Sequence, residues 1–74
     1  MINNRNKDTL ILFGKQLRKL RLEKKISQEE LNFKAELSKN MVGLIERGEV
    51  NPTLSTLENL ALGLGISLKE LVDF

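Results

Sequence analysis

Cysteine and histidine are both missing from this 74-residue chain. Without cysteine there is no disulfide framework, no thiol nucleophile and no thiolate metal site, a composition compatible with a reducing cytoplasm. Without histidine as well, only carboxylates are left as metal ligands, and none of the acidic residues falls in an EF-hand pattern. No metal and no cofactor is expected. The same absences remove the usual nucleophile–base pairs, and there is no glycine-rich phosphate loop, so nothing in the chain specifies an enzyme. Long apolar runs are missing too. The longest, LILF at residues 10–13, falls far short of the roughly 20 residues that span a membrane. The N-terminus, MINNRNKDT, is polar and has no signal-peptide core. The expectation is a soluble, cytoplasmic protein with no membrane partner. Its length allows one domain with a thin core, which a partner subunit would help to stabilise.

The net charge of +2 is unevenly spread. Residues 1–25 carry eight basic groups (Arg5, Lys7, Lys15, Arg18, Lys19, Arg21, Lys24, Lys25) against Asp8 and Glu23, a net +6. From residue 26 onward four basic groups face eight acidic ones, a net −4. A basic first third suits a polyanion. Alone, such a run is an ordinary solvated helix face; it gains meaning only from the helix pair C-terminal to it.

The pattern predicts five helices and no strand. Leu10, Phe13, Leu17 and Leu20 recur at three- and four-residue spacing, which predicts a helix over residues 9–25 capped by Asp8 or Thr9. The eight residues before it read as a polar arm, and residues 9–74 as the domain. Three Ser-x-x-Glu signatures mark further starts: Ser27 with Glu30, Ser55 with Glu58, and Ser67 with Glu70. Gly48 and Gly65 are placed as left-handed C-caps, and Asn51-Pro52 as a loop. The remaining helices are expected over residues 28–35, 38–47, 55–64 and 68–72. Besides the first-helix stripe, Leu31, Ala35, Leu37, Val42, Ile45, Leu57, Leu60, Ala61, Leu64, Ile66 and Leu71 form the expected core.

Residues 27–48, SQEELNFKAELSKNMVGLIERG, are the most informative segment. They read as two short amphipathic helices joined by a tight turn. At about 100° per residue, Ser38, Met41, Val42 and Ile45 share one arc of the second helix. Lys39, Asn40, Gly43 and Arg47 share the other, with Leu44 at its edge. The second arc has the chemistry to read a major groove. Lysine can donate to guanine or a phosphate, asparagine can bond adenine bidentately, glycine permits close approach, and leucine can touch a thymine methyl. Each polar residue taken singly also fits a plain solvated surface. Gln28, at the start of the first of the two helices, is placed to bind a phosphate. Arg18, Lys24, Arg47 and Asn51 are further phosphate candidates. Arg21 and Glu46 are positioned for an ion pair between the first and third helices.

These residues resemble the phage-repressor-like (Xre/Cro) helix-turn-helix family over about residues 12–72. The resemblance rests on Ser-Gln-Glu-Glu-Leu at 27–31, Ile-Glu-Arg-Gly at 45–48, and Pro-Thr-Leu with Leu-Glu-Asn-Leu-Ala in residues 52–61. It implies an all-α, compact five-helix bundle of the lambda-repressor-like DNA-binding type, and a regulator that binds a palindromic operator in double-stranded DNA as a homodimer. It also implies that Gln28 clamps a phosphate, that Ser38, Lys39, Asn40 and Gly43 with Leu44 beside them read bases, and that Arg21 and Glu46 pair. Among short members the chain is most similar to the controller proteins of restriction–modification systems. A phage or chromosomal repressor or an antitoxin of the same fold is the alternative. Two positions depart from the family pattern: Asn32 stands where alanine or glycine is usual, and Glu36 where a left-handed glycine is usual.

Leu68, Val72 and Phe74 exceed what so small a core can take, so a two-fold interface is expected through the C-terminal end. A second class of reading keeps the fold but uses it to bind protein: Glu29, Glu30 and Glu36 could face a partner such as RNA polymerase.

Overall fold

The computed structural model describes residues 5–74. It contains α1 (Arg5–Glu23), α2 (Gln28–Lys34), α3 (Met41–Glu46), α4 (Leu54–Leu64) and α5 (Leu68–Leu71), with no strand among the described residues. None of these helices is long and apolar enough to cross a membrane. The fold is therefore the five-helix bundle expected. Part of the polar arm, residues 1–4, lies outside the described residues. The rest of it is the first turn of α1, which begins at Arg5 rather than Thr9. Asp8 lies in that first turn, where its negative charge offsets the helix dipole.

Local chemistry sets the other boundaries. Ser27 accepts the Glu30 amide at 2.9 Å, but the Glu30 carboxylate does not complete the box; it lies 3.4 Å from Lys34 Nζ. Ser67 and Glu70 form the full reciprocal box at the start of α5. Helix α4 starts one residue before the expected Ser55. Its cap is Thr53, which follows Pro52 in extended backbone and accepts the Thr56 amide at 3.1 Å. Gly48 and Gly65 both take φ +73°, as expected of left-handed caps.

The largest boundary difference is at α3. It begins at Met41 because Asn40 adopts a left-handed backbone, φ 71°. Asparagine tolerates that region, but a helix cannot run through it. Ser38, Lys39 and Asn40 therefore form a turn ahead of the helix, where a helical arc was expected.

The core comprises Phe13, Leu17, Leu31, Ala35, Val42, Ile45, Leu60, Ala61, Leu64 and Leu71, all among the residues expected to be buried. Ile26, Val50 and Leu68 also pack against it. Leu68 is thus a partner of the core, not the unused surface residue expected; one turn of helix carries it inward beside Leu71. Helix α1 crosses α3 at Gly14, where a Cβ would lie 2.5 Å from the Glu46 carbonyl oxygen and 2.6 Å from that of Ile45. Only glycine permits the two backbones to approach this closely. Gln16 ties α1 to the C-terminal turn by donating to the Asp73 and Glu70 carbonyls at 3.1 and 3.4 Å. The Phe74 ring lies against Phe13, with centroids 5.7 Å apart and a tilt of 51°.

Candidate nucleic-acid interface

The recognition segment is held from behind by a buried ion pair. Arg21 Nε donates to Glu46 Oε2 at 2.7 Å and Nη2 to Oε1 at 3.1 Å. Arg21 Nη1 donates to the Ile26 carbonyl at 2.9 Å, which fixes the α1–α2 loop as well. The hydrogen bond with Glu46 raises the Arg21 pKa above its already high value, against the opposing effect of burial, so the guanidinium stays charged. This is the bidentate pair that the sequence pointed to.

The Glu46 carboxylate accepts a third donor, Gln28 Nε2, at 2.9 Å. Gln28 is thereby oriented at the start of α2. Its Oε1 closes over Gly43 from one side and Arg47 closes from the other. A Cβ on Gly43 would lie 3.2 Å from Gln28 Oε1 and 3.2 Å from Arg47 Nη1. Gly43 is consequently buried under these two side chains, although it sits on the outward arc of α3. Arg47 Nε is paired with Glu49 Oε2 at 2.8 Å, both side chains about half exposed. Glu49 carries no family signature, and only the structure brings it to the site.

On its other side, Gln28 borders a shallow depression of about 190 Å³ lined by Glu29, Asn32, Lys39 and Asn40. Lys39 and Asn40 are exposed, Leu44 is half-buried, and the Asn40 side chain makes no cap hydrogen bond to α3. Gln28, Lys39, Asn40, Gly43 and Arg47 thus occupy one contiguous surface. Ser38 is exposed in the same turn, where its carbonyl accepts the Met41 amide at 3.1 Å. Arg18 and Lys24 are exposed on α1 and just beyond its end. Asn51 borders a separate apolar cleft of about 210 Å³ with Leu10, Phe13, Pro52, Val72 and Phe74.

Both departures from the family pattern are accommodated. Asn32 Oδ1 accepts the Val42 amide at 2.9 Å. Glu36 takes the left-handed backbone that glycine usually supplies, φ 54°. At the C-terminal end, Val72 is 41 % and Phe74 54 % exposed, beside the partly buried Leu68.

Comparison with known proteins agrees with this geometry. A helix-turn-helix family model matches residues 17–71. The control protein C.BamHI of Bacillus amyloliquefaciens is 40 % identical over 65 residues, covering 86 % of this chain and 80 % of that protein. The immunity repressor of Bacillus phage phi105 is 42 % identical over 59 residues, covering 80 % of this chain and 41 % of the repressor. The crystal structure of the restriction–modification controller protein C.AhdI from Aeromonas hydrophila superposes with a TM-score of 0.81 at 44 % identity, covering 84 % of this chain and 94 % of that one. The chain belongs to the helix-turn-helix family of DNA-binding transcriptional regulators.

Proposed function

We propose that the protein binds a palindromic operator as a homodimer and acts in the cytoplasm as the controller of a restriction–modification operon. The observation that carries the reading is the convergence on Gln28 of Gly43 and Arg47 from one side and of Lys39 and Asn40 from the other. A phosphate anchor and two base-reading side chains there share one face. Lys39 and Asn40, with Ser38 and Leu44 beside them, read base edges, and Gly43, closed over by Gln28 and Arg47, lets those two side chains lie against α3. Gln28, Arg18, Lys24, Arg47 and Asn51 hold phosphates. Val72 and Phe74, backed by Leu68, form the two-fold contact, which sets two recognition helices about 34 Å apart, one turn of DNA. The similarity to controllers that are matched over most of their length supports the operon assignment; a phage repressor, similar at 42 % identity but matched over 41 % of its length, represents the alternative.

A second surface supports an added protein contact. Phe33 is 83 % exposed on α2, one helical turn from Glu29 and Glu30, and Glu36 follows in the turn beyond the helix. An exposed aromatic residue with carboxylates near it in the chain suits a basic protein segment, such as one on RNA polymerase.

The test is a duplex titration across salt concentrations. Affinity should fall with a log–log slope of about −0.9 per phosphate contact. Lys39→Ala or Asn40→Ala should relax sequence preference, whereas Arg18→Ala should weaken all duplexes alike and reduce the slope by about 1. Affinity that ignores salt would defeat the reading.

A further inference from the structure

We infer that Asn32 is a positioning residue for base recognition: it sets the turn that carries Lys39 and Asn40, acting from the neighbouring helix. The inference rests on the proposed DNA-binding function. A helix start leaves its first amides without partners, and the residue just before the helix normally supplies a side-chain acceptor. In α3 that residue is Asn40. Its side chain makes no such bond, and its backbone is left-handed instead of extended. The acceptor comes instead from Asn32 Oδ1, ten residues back on α2, which takes the Val42 amide at 2.9 Å.

Val42 is the second residue of α3 and is fully buried. Water therefore has poor access to replace the lost acceptor. The arrangement frees the Asn40 side chain from capping, so its amide is available for a base. It also locks the turn at residues 38–40 between two anchors. One is the Asn32–Val42 bond at the helix start. The other is the bond from the Leu37 amide to the Asn32 carbonyl at 2.9 Å. Both anchors belong to Asn32. The residue also lines the same depression as Gln28, Lys39 and Asn40. An alanine or glycine here would leave α3 without this cap.

The test compares wild type, Asn32→Ala and Asn32→Asp against a panel of duplexes carrying every single-base change in a bound site. Positions read by Lys39 and Asn40 are identified with Lys39→Ala and Asn40→Ala. Leu60→Val, which trims a fully buried core side chain outside both proposed surfaces, controls for stability. In wild type a wrong base at those positions should cost roughly 5- to 150-fold in affinity. In Asn32→Ala these penalties should shrink at least about threefold, with the salt slope unchanged, because no phosphate contact is lost. Asn32→Asp keeps the acceptor and should keep the penalties, while its added negative charge weakens all duplexes together.

An unaltered penalty profile in Asn32→Ala would overturn the inference, as would a uniform loss matched by Leu60→Val. If Asn32→Ala does not fold, the aspartate variant decides, since loss of its base preferences would overturn the inference equally. A wild-type protein with no base preference would instead refute the DNA reading itself.

Discussion

Replacing Glu46 by alanine removes the carboxylate that three donors share. Arg21 keeps its bond to the Ile26 carbonyl but loses both bonds from Nε and Nη2. The Arg21 and Glu46 side chains are only 10 % and 4 % exposed, so water cannot readily take the place of the carboxylate. Removing one partner of a buried pair costs about 3–5 kcal/mol, mostly for the uncompensated charge left behind. A domain of this length is stable by only about 4–11 kcal/mol at typical values per residue. For a domain this small each kcal/mol moves Tm by about 4–8 °C, so Glu46→Ala should melt roughly 12–40 °C below wild type. Urea unfolding followed by circular dichroism gives the free energy directly. A second variant separates charge from packing. Arg21→Met with Glu46→Leu removes both charges and should recover at least half of the loss, because an apolar pair avoids the desolvation cost. A Glu46→Ala protein within about 1 kcal/mol of wild type, comparable to an exposed pair, would refute the claim that this pair holds α1 to α3.

Gly14→Ala should destabilise by at least about 2 kcal/mol in urea unfolding, because the new Cβ meets two backbone carbonyls of α3 that cannot rotate away. Glu36→Gly should raise Tm slightly. Relief of the left-handed strain, about 1 kcal/mol, is offset in part by the added freedom of the unfolded chain; a lower Tm would contradict this. Glu49→Gln releases Arg47 from its carboxylate partner and should tighten binding to random duplex by about two- to fivefold, the reach of a half-exposed pair. That gain should vanish in an Arg47→Gln background.

The parts of this molecule written in local pattern are legible in its sequence. Helical spacing identifies Leu17, Leu31, Ile45 and Leu60 as core, and the placement of Arg21 and Glu46 suggests a pair that forms as expected. Features that depend on a second element are not legible. Gly14 resembles a weak helix residue until α3 is placed against it. Asn40 ends up ahead of α3 because its backbone is left-handed, and the acceptor that replaces its cap comes from Asn32, a link between two helices that no one-dimensional pattern shows. Thr53 takes the cap in place of Ser55 because its own backbone is extended and its hydroxyl reaches the Thr56 amide, whereas Ser55 already lies inside α4. Leu68 reads as an interface residue because a four-residue helix has too few positions to define an inward face.

The central claim is that the surface around Gly43 reads DNA sequence as half of a two-fold pair. Selection of bound duplexes from a random library tests this most directly. The expected outcome is one enriched, two-fold symmetric site with half-site centres about 10–10.5 base pairs apart, and loss of specific positions in the site when Asn40→Ala is used for the selection. A library recovered without any enriched sequence, or with a single unpaired half-site, would contradict it.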